Sequence, residues 1–356
     1  MAKTYKNLFE ELTSFKNLLL AAGKSQKGKR MKPNTAKFSF FLEKELLRLQ
    51  QELLSQTYRP GAYRNFFVYE PKPRLISAAP YRDRVVHHAF CNVIEPIFDK
   101  TFIFDSYACR IDKGTHIALD RAQRFLRAAK FGLQCDIQKY FPSINHDILL
   151  SIIARKIKDE KVLWLAKLII DSSPQLERKP NKPGPNELKR GIPIGNLTSQ
   201  FFANLYLNEL DYFVKFSLRE KYYIRYMDDF LLFGNDKVRL RERRTEIAQF
   251  LESRLKLSLH PRKSIIFSAR VGMEFLGFRI FRDYRRLKRE NVKRFLKRMK
   301  NLQRLFSQGA VSVNEISNSL RCWIAHASYG NTYNLRKKIL TKIGFAREPL
   351  SEGRIQ

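Results

Sequence analysis

The sequence predicts a mixed α+β fold, on three observations. Helical periodicity dominates both ends, short apolar strand-like runs cluster in the middle, and two of those runs carry aspartates. Residues 1–60 read as helical and basic. From Phe41, FLEKELLRLQQELLSQ places Leu42, Leu46, Leu49 and Leu53 on one face with Glu, Lys and Arg opposite, and Pro60-Gly61 stops it. Strand-like pieces follow at Phe66–Glu70 and Arg74–Ala78, separated by Pro71 and Pro73. A helix is expected over Arg82–Phe98 and an alanine-rich one over His116–Lys130, with a loop at Lys113-Gly114 between them. Next come the strand Leu133–Ile137, a break at Pro142 and another helix. Residues 174–186, PQLERKPNKPGPN, read as an exposed loop. A long helix is expected over Thr198–Glu220, and YYIRYMDDFLLF at 222–233 reads as two strands joined at an acidic pair. From Asn291 onward the pattern is helical and strongly basic.

Composition narrows the function. A 44% hydrophobic content suffices for one large domain or two to three subdomains. Sixty-eight Lys and Arg against 34 Asp and Glu leave a formal charge of +34. Such an excess repels itself unless a polyanion neutralises it. Nucleic acid is the first candidate, because binding phosphates releases counterions; an anionic membrane is the competing one. No apolar run is long enough to span a bilayer, no lipidation signal is present, and MAKTYKNLFEELTSF lacks a signal-peptide core. Cys91, Cys109, Cys135 and Cys322 form no CxxC pair, so neither disulfides nor a zinc finger is expected. A reduced, cytoplasmic protein with no membrane role is the expectation.

The carboxylates point to chemistry. Burying unpaired charge costs several kcal/mol, so Asp228 and Asp229 inside YYIRYMDDFLLF need a solvated turn or a cation. Asp136, at the end of an apolar strand and followed by Tyr140 and Phe141, favours the cation: two strand ends side by side could offer Asp136 and Asp228 to the same ions. Magnesium takes oxygen ligands and shares its shell with water and substrate phosphates. The expected metal set is Asp136 with the adjoining Ile137, Asp228 and Asp229, holding two Mg2+ ions, with Mn2+ as a possible substitute. Because side chains alternate along a strand, Asp228 is expected as the main ligand and Asp229 as the lesser one. His87 and His88 read as core or capping residues.

Tyr226-Met227-Asp228-Asp229 resembles the YxDD motif of reverse transcriptases, and CDIQKYFPSI resembles their first catalytic motif, with a GxPxG motif between. The resemblance extends from about Asn65 to Lys338. It implies a right-hand polymerase fold: an N-terminal extension at 1–60, fingers at 61–130, a palm at 131–285 with antiparallel sheet and helices, and a helical thumb and tail at 286–356. It implies RNA-directed DNA polymerase activity on deoxynucleoside triphosphates, a template RNA and a cDNA primer. Phe141 would be the steric gate against a 2′-hydroxyl. Lys72, Arg74 and Arg82 would hold the triphosphate, Arg by bidentate contact. Lys263 in LSLHPRKSIIF would protonate the leaving pyrophosphate. Phe275-Leu276-Gly277 would be the primer grip. A helix at about Asn291–Leu305, with Val292, Phe295, Leu296, Met299 and Leu302 on one stripe, would lay Lys293, Arg294, Lys297, Arg298 and Lys300 along the template–primer.

Gly191-Ile192-Pro193-Ile194-Gly195-Asn196-Leu197-Thr198-Ser199-Gln200 narrows the resemblance. Group II intron and retron enzymes usually have glutamine at the position of Ile194 and proline at that of Gln200. The combined replacement, with the segments Ser106–Arg127 and Asp83–Phe98, resembles the enzymes of diversity-generating retroelements, which copy a template-repeat RNA with errors at adenines. Ile194, Gly195 and Gln200 are therefore expected beside the nucleotide, and a small basic helical partner, the accessory variability determinant, is implied. No RNase H domain or Cys/His endonuclease cluster is expected. A retron-like or phage-defence reverse transcriptase without adenine bias, a non-catalytic nucleic-acid-binding protein and a membrane-surface role remain open.

Overall fold

The computed structural model describes residues 3–69, 73–173 and 189–346. Four helices open the chain: α1 (Phe9–Thr13), α2 (Phe15–Ser25), α3 (Pro33–Phe40) and α4 (Leu42–Leu54). A ribbon of β1 (Arg64–Val68) and β2 (Arg74–Ala78) leads to α5 (Tyr81–Asp99) and α6 (Thr115–Arg127). The middle holds β3 (Phe131–Cys135), α7 (Tyr140–Ser143), α8 (His146–Lys156), α9 (Glu160–Asp171) and α10 (Leu197–Tyr212). After a π-helical turn at Phe213–Ser217 come β4 (Tyr223–Tyr226), β5 (Asp229–Gly234), α11 (Lys237–Leu255) and β6 (Ile265–Ser268). The chain continues through β7 (Met273–Phe275), β8 (Phe278–Ile280), β9 (Arg285–Leu287), α12 (Arg289–Ser307), α13 (Val313–Ala327) and α14 (Tyr333–Leu340). The sheets are β1-β2, β4-β5-β3-β6 and β7-β8-β9, with β1-β2, β4-β5 and the last sheet antiparallel.

Two compact units share these elements. The first comprises Met1–Gly114, Gln134–Leu232 and Arg241–Ile265. Its centre is α5, packed against α1, α2, α3 and α10. Val85, Val86, Ala89, Phe90, Val93 and Ile94 are buried at helical spacing, and Phe90 meets Phe202 of α10 edge-on at 5.9 Å. Within α4 the expected face holds, with Leu46, Leu49 and Leu53 fully buried. The chain leaves α4 through a fixed corner: the Asp83 carboxylate accepts from Tyr58 Oη at 2.7 Å and from Gly61 N at 2.8 Å. At the other edge Asp159 caps two helices at once, accepting from Leu8 N and Phe9 N as well as Lys161 N and Val162 N. His87 is a buried core histidine on α5, with its pKa pushed down to about 3 by burial.

The second unit comprises Thr115–Leu133, Phe233–Leu240 and Ile266–Gln356. Phe295 stacks on Trp323 at 3.8 Å, and Met299 and Ile339 complete that core. A capping box between Ser312 and Glu315 starts α13. The expected stripe on α12 needs one correction. Phe295 and Met299 are buried, but Leu296 is 38% exposed, and Phe306 a helical stretch further on is buried instead. A helix advances about 100° per residue, so residue 296 leaves the arc that 295, 299 and 302 share.

Candidate active site

Asp136 follows the last residue of β3, and its carbonyl accepts from His260 N at 2.7 Å. Asp228 lies in the two-residue turn between β4 and β5, where Tyr226 pairs with Asp229. Met227, the first turn residue, has φ +58, a left-handed conformation rare for a side chain of its size. The two aspartates differ in backbone setting: Asp228 occupies the turn and Asp229 is the first residue of β5. Ile137 is buried and bridged to Leu259, so its backbone is the group it has to offer.

Electrostatics tie these residues together. Burial, then the negative charge of Asp136, push the Asp228 carboxyl above the usual carboxylate range, while its backbone hydrogen bond, Lys263 and Arg74 act in the opposite sense. Lys263 Nζ pairs directly with the Asp136 carboxylate. Asp136 and Lys263 lie 127 residues apart in sequence. Arg74 is exposed at the start of β2, paired in register with Val68. A carboxyl whose ionisation is made costlier by burial and a neighbouring carboxylate, and eased by an ammonium and a guanidinium, marks a site suited to positive charge. The donors are oxygens only, as a hard cation requires. Among the described residues no group of three or more His, Cys, Asp and Glu side chains could hold a metal ion. Magnesium bound here would complete its shell with water and substrate phosphates, its usual arrangement.

The loop from Gly191 to Asn196 is sewn between two neighbours. On one side Gly191 N donates to Ile144 O at 2.8 Å and Ile192 N to Phe141 O at 3.0 Å. On the other, Ser77 N of β2 donates to Ile194 O at 3.0 Å, and Asn196 bridges Ala79 N and Ser77 O. Phe141 is half-buried, with its ring 5.6 Å from that of Tyr140, whose hydroxyl donates to Ala203 O at 2.5 Å. Gly195 is needed where it stands: its φ is +121, and a Cβ would lie 2.8 Å from Ile76 Cγ2. Replacing Gly195 with alanine is expected to cost about 1–3 kcal/mol, read as a lower urea midpoint with unchanged slope. An unaltered midpoint would show that the loop does not rest on β2 this closely. Ile194 is half-buried, while Gly195 and Gln200 are exposed.

Arg82 is committed to Glu52 and lies over the Tyr58 ring at 5.1 Å, so its guanidinium is already engaged at the α4 corner. Lys72 and the loop at 174–186 lie outside the described residues. In the second unit Phe275, Leu276 and Gly277 form the tip of β7-β8: Phe275 pairs with Phe278, and Leu276 and Gly277 have φ +46 and +89. Positive φ at both central residues is the type I′ pattern. Lys288 N and Asn291 Nδ2 both donate to Gly277 O, tying the tip to the start of α12. Lys293, Arg294, Lys297, Arg298 and Lys300 are all exposed on α12.

Sequence reasoning missed Arg225. It is fully buried on β4 and paired with Asp211 at 2.6 Å. A charged residue between Ile224 and Tyr226 in an apolar strand was the available signal.

A hairpin turn that carries Asp228, charge-coupled to Asp136, Lys263 and Arg74, is an arrangement suited to metal-dependent nucleotidyl transfer. Comparison with known proteins agrees. The profile of the reverse transcriptase (RNA-dependent DNA polymerase) family matches residues 69–280, and the chain belongs to that family. Protein YkfC of Escherichia coli K12 is 26% identical over 280 residues, covering 67% of this chain and 71% of that protein. The group II intron-encoded protein LtrA of Lactococcus lactis is 28% identical over 204 residues, 56% of this chain but only 33% of LtrA. Among solved structures, apo telomerase from Candida tropicalis has the same fold, with TM-score 0.50 and 12% identity over 79% of this chain and 59% of that one. No helix among the described residues is long and apolar enough to cross a membrane.

Proposed function

We propose that this reverse transcriptase serves a diversity-generating retroelement, copying a template-repeat RNA into cDNA with frequent errors opposite adenine. Asp136 and Asp228, with the Ile137 backbone and Asp229 in support, would hold two magnesium ions. When bound, these supply activation of the primer 3′-hydroxyl and stabilisation of the leaving pyrophosphate. Arg74 and Lys72 receive the triphosphate, Lys263 hands its proton to the departing pyrophosphate, and Phe141 blocks a ribose 2′-hydroxyl. The tip at Phe275–Gly277 supports the primer strand, and the cationic face of α12 follows the template–primer backbone. A basic accessory variability determinant is the proposed protein partner.

One observation carries the narrower reading. The Gly191–Asn196 loop is held on both sides, Ile192 N on Phe141 O and Ile194 O on Ser77 N. With its carbonyl engaged and the loop fixed in place, the half-buried side chain is what distinguishes position 194 beside a nascent base pair. An isoleucine offers shape but no hydrogen bond, so a mispair leaves no polar group of this residue unsatisfied and is penalised less. Ile194→Gln is expected to lower misincorporation opposite adenine by about tenfold, the worth of one neutral hydrogen bond, with total cDNA yield retained. Deep sequencing of cDNA from one defined RNA measures it. An unchanged error rate at adenines would remove Ile194 from the account; errors spread evenly over all four template bases in the parent enzyme would favour a retron-like role instead.

A further inference from the structure

Directly behind the Met227-Asp228 turn lies an arginine whose hydrogen bonds account for the whole guanidinium. Arg225 Nε donates to Asp211 Oδ1 at 2.7 Å, and Nη2 donates to Asp211 Oδ2 at 2.6 Å and to Ser106 Oγ at 3.1 Å. Its Nη1 donates to Asn204 Oδ1 at 3.2 Å and to the Met227 carbonyl at 3.0 Å. With Asn204 O at 3.4 Å from Nη2, five N–H groups meet six acceptors, and the side chains of Arg225 and Asp211 are both fully buried. The Arg225 backbone is held as well, its N–H on Asp105 O at 2.9 Å and its carbonyl taking Tyr107 N at 3.0 Å.

A buried ion pair is a poor way to gain stability, because desolvation offsets the attraction and apolar side chains of like volume often serve better. Its presence in an apolar strand two residues before the turn calls for another role. Five of the six acceptors belong to Asp211, Asn204 and Ser106, which form a fixed socket. The sixth is the carbonyl of Met227, a non-glycine residue held at φ +58. Conformations of this kind persist only where the surroundings over-determine them.

We propose that Arg225 is a positioning residue for nucleotidyl transfer: anchored by Asp211, Asn204 and Ser106, it grips the Met227 carbonyl and holds the left-handed turn that carries Asp228. The forked, planar guanidinium is essential. A lysine could keep the charge against Asp211 but cannot span Asp211, Ser106, Asn204 and Met227 together. The proposal rests on the polymerase reading, and the two fail differently. Failure of that reading leaves the parent enzyme without Mg2+-dependent extension, whereas failure of the proposal appears only in the variants.

The test uses the full chain with RNA template, DNA primer and dNTPs. Arg225→Lys is expected to bind template–primer and dNTP as the parent does, with KM little changed. Its kcat should fall by about a hundredfold, the scale set by misplacing a reactive group by an ångström, and the half-maximal Mg2+ concentration should rise. A folded Arg225→Lys enzyme with parental kcat and Mg2+ response overturns the proposal, since a purely structural ion pair predicts that result. Should Arg225→Lys not fold, Met227→Ala and Met227→Gly decide. Both remove the methionine side chain, and only glycine frees the backbone. A turn held by Arg225 gives them equal kcat and equal Mg2+ dependence; a glycine variant well below the alanine one shows that the turn is not held, and overturns the proposal.

Discussion

Asp136→Asn and Asp228→Asn are each expected to lower kcat for RNA-templated DNA synthesis by about a thousandfold or more, some 4 kcal/mol of transition-state stabilisation. The loss should appear without unfolding. Burial and the charge of Asp136 already disfavour the ionised Asp228 carboxyl, so a neutral amide there removes a cost and leaves the unfolding midpoint equal or slightly higher. Asp229→Asn should lose much less, because Asp229 is a paired strand residue at the base of the turn and not part of the turn. Template–primer affinity should be parental in all three, since a protein of charge +34 draws its affinity from phosphate contacts. Single-turnover extension with a titration of Mg2+ measures each point. Equal losses at Asp228 and Asp229 would contradict the ranking, and full activity in Asp136→Asn would contradict the site.

The second large effect concerns sugar selection. Phe141→Ala is expected to reduce discrimination against ribonucleotides by about a hundredfold while leaving dNTP incorporation within a few-fold. The support is steric. The Phe141 backbone is fixed by Ile192 N, and its ring packs edge-on to Tyr140, which is itself pinned to Ala203 O. A ring held in this way cannot swing aside cheaply for a 2′-hydroxyl. Comparing kcat/KM for each dNTP and its ribonucleotide gives the ratio; an unchanged ratio in Phe141→Ala would assign the gate to another residue.

Much of this was legible in the sequence, and the exceptions have physical reasons. Helices such as α4 and α5 declare themselves by apolar spacing, and the β4-β5 hairpin by two apolar runs about a short polar joint. The long helix expected over Thr198–Glu220 is α-helical only to Tyr212, then winds as a π turn to Ser217. A change from i→i−4 to i→i−5 bonding leaves the apolar spacing little altered, so periodicity does not report it. The carboxylates stood out because aspartates in an apolar strand demand an explanation. The encounter of Lys263 with Asp136 could not be read from spacing, since it joins segments far apart in the chain. Arg225 is the instructive miss: alternation treats it as a polar interruption, and its partners Ser106, Asn204 and Asp211 come from separate stretches that only the fold assembles. Arg82 likewise has a partner that spacing does not report, Glu52 of α4.

The proposed role has this reverse transcriptase make DNA on RNA through Asp136 and Asp228, with poor discrimination at adenine. The error spectrum of cDNA made by the parent enzyme on one defined RNA, with Mg2+ and the four dNTPs, tests it most directly. Full-length cDNA with substitutions concentrated opposite template adenines is the predicted result. Absence of cDNA, with the basic accessory partner and its cognate RNA supplied, would contradict the polymerase assignment; faithful cDNA, or errors shared evenly among the bases, would contradict the retroelement role.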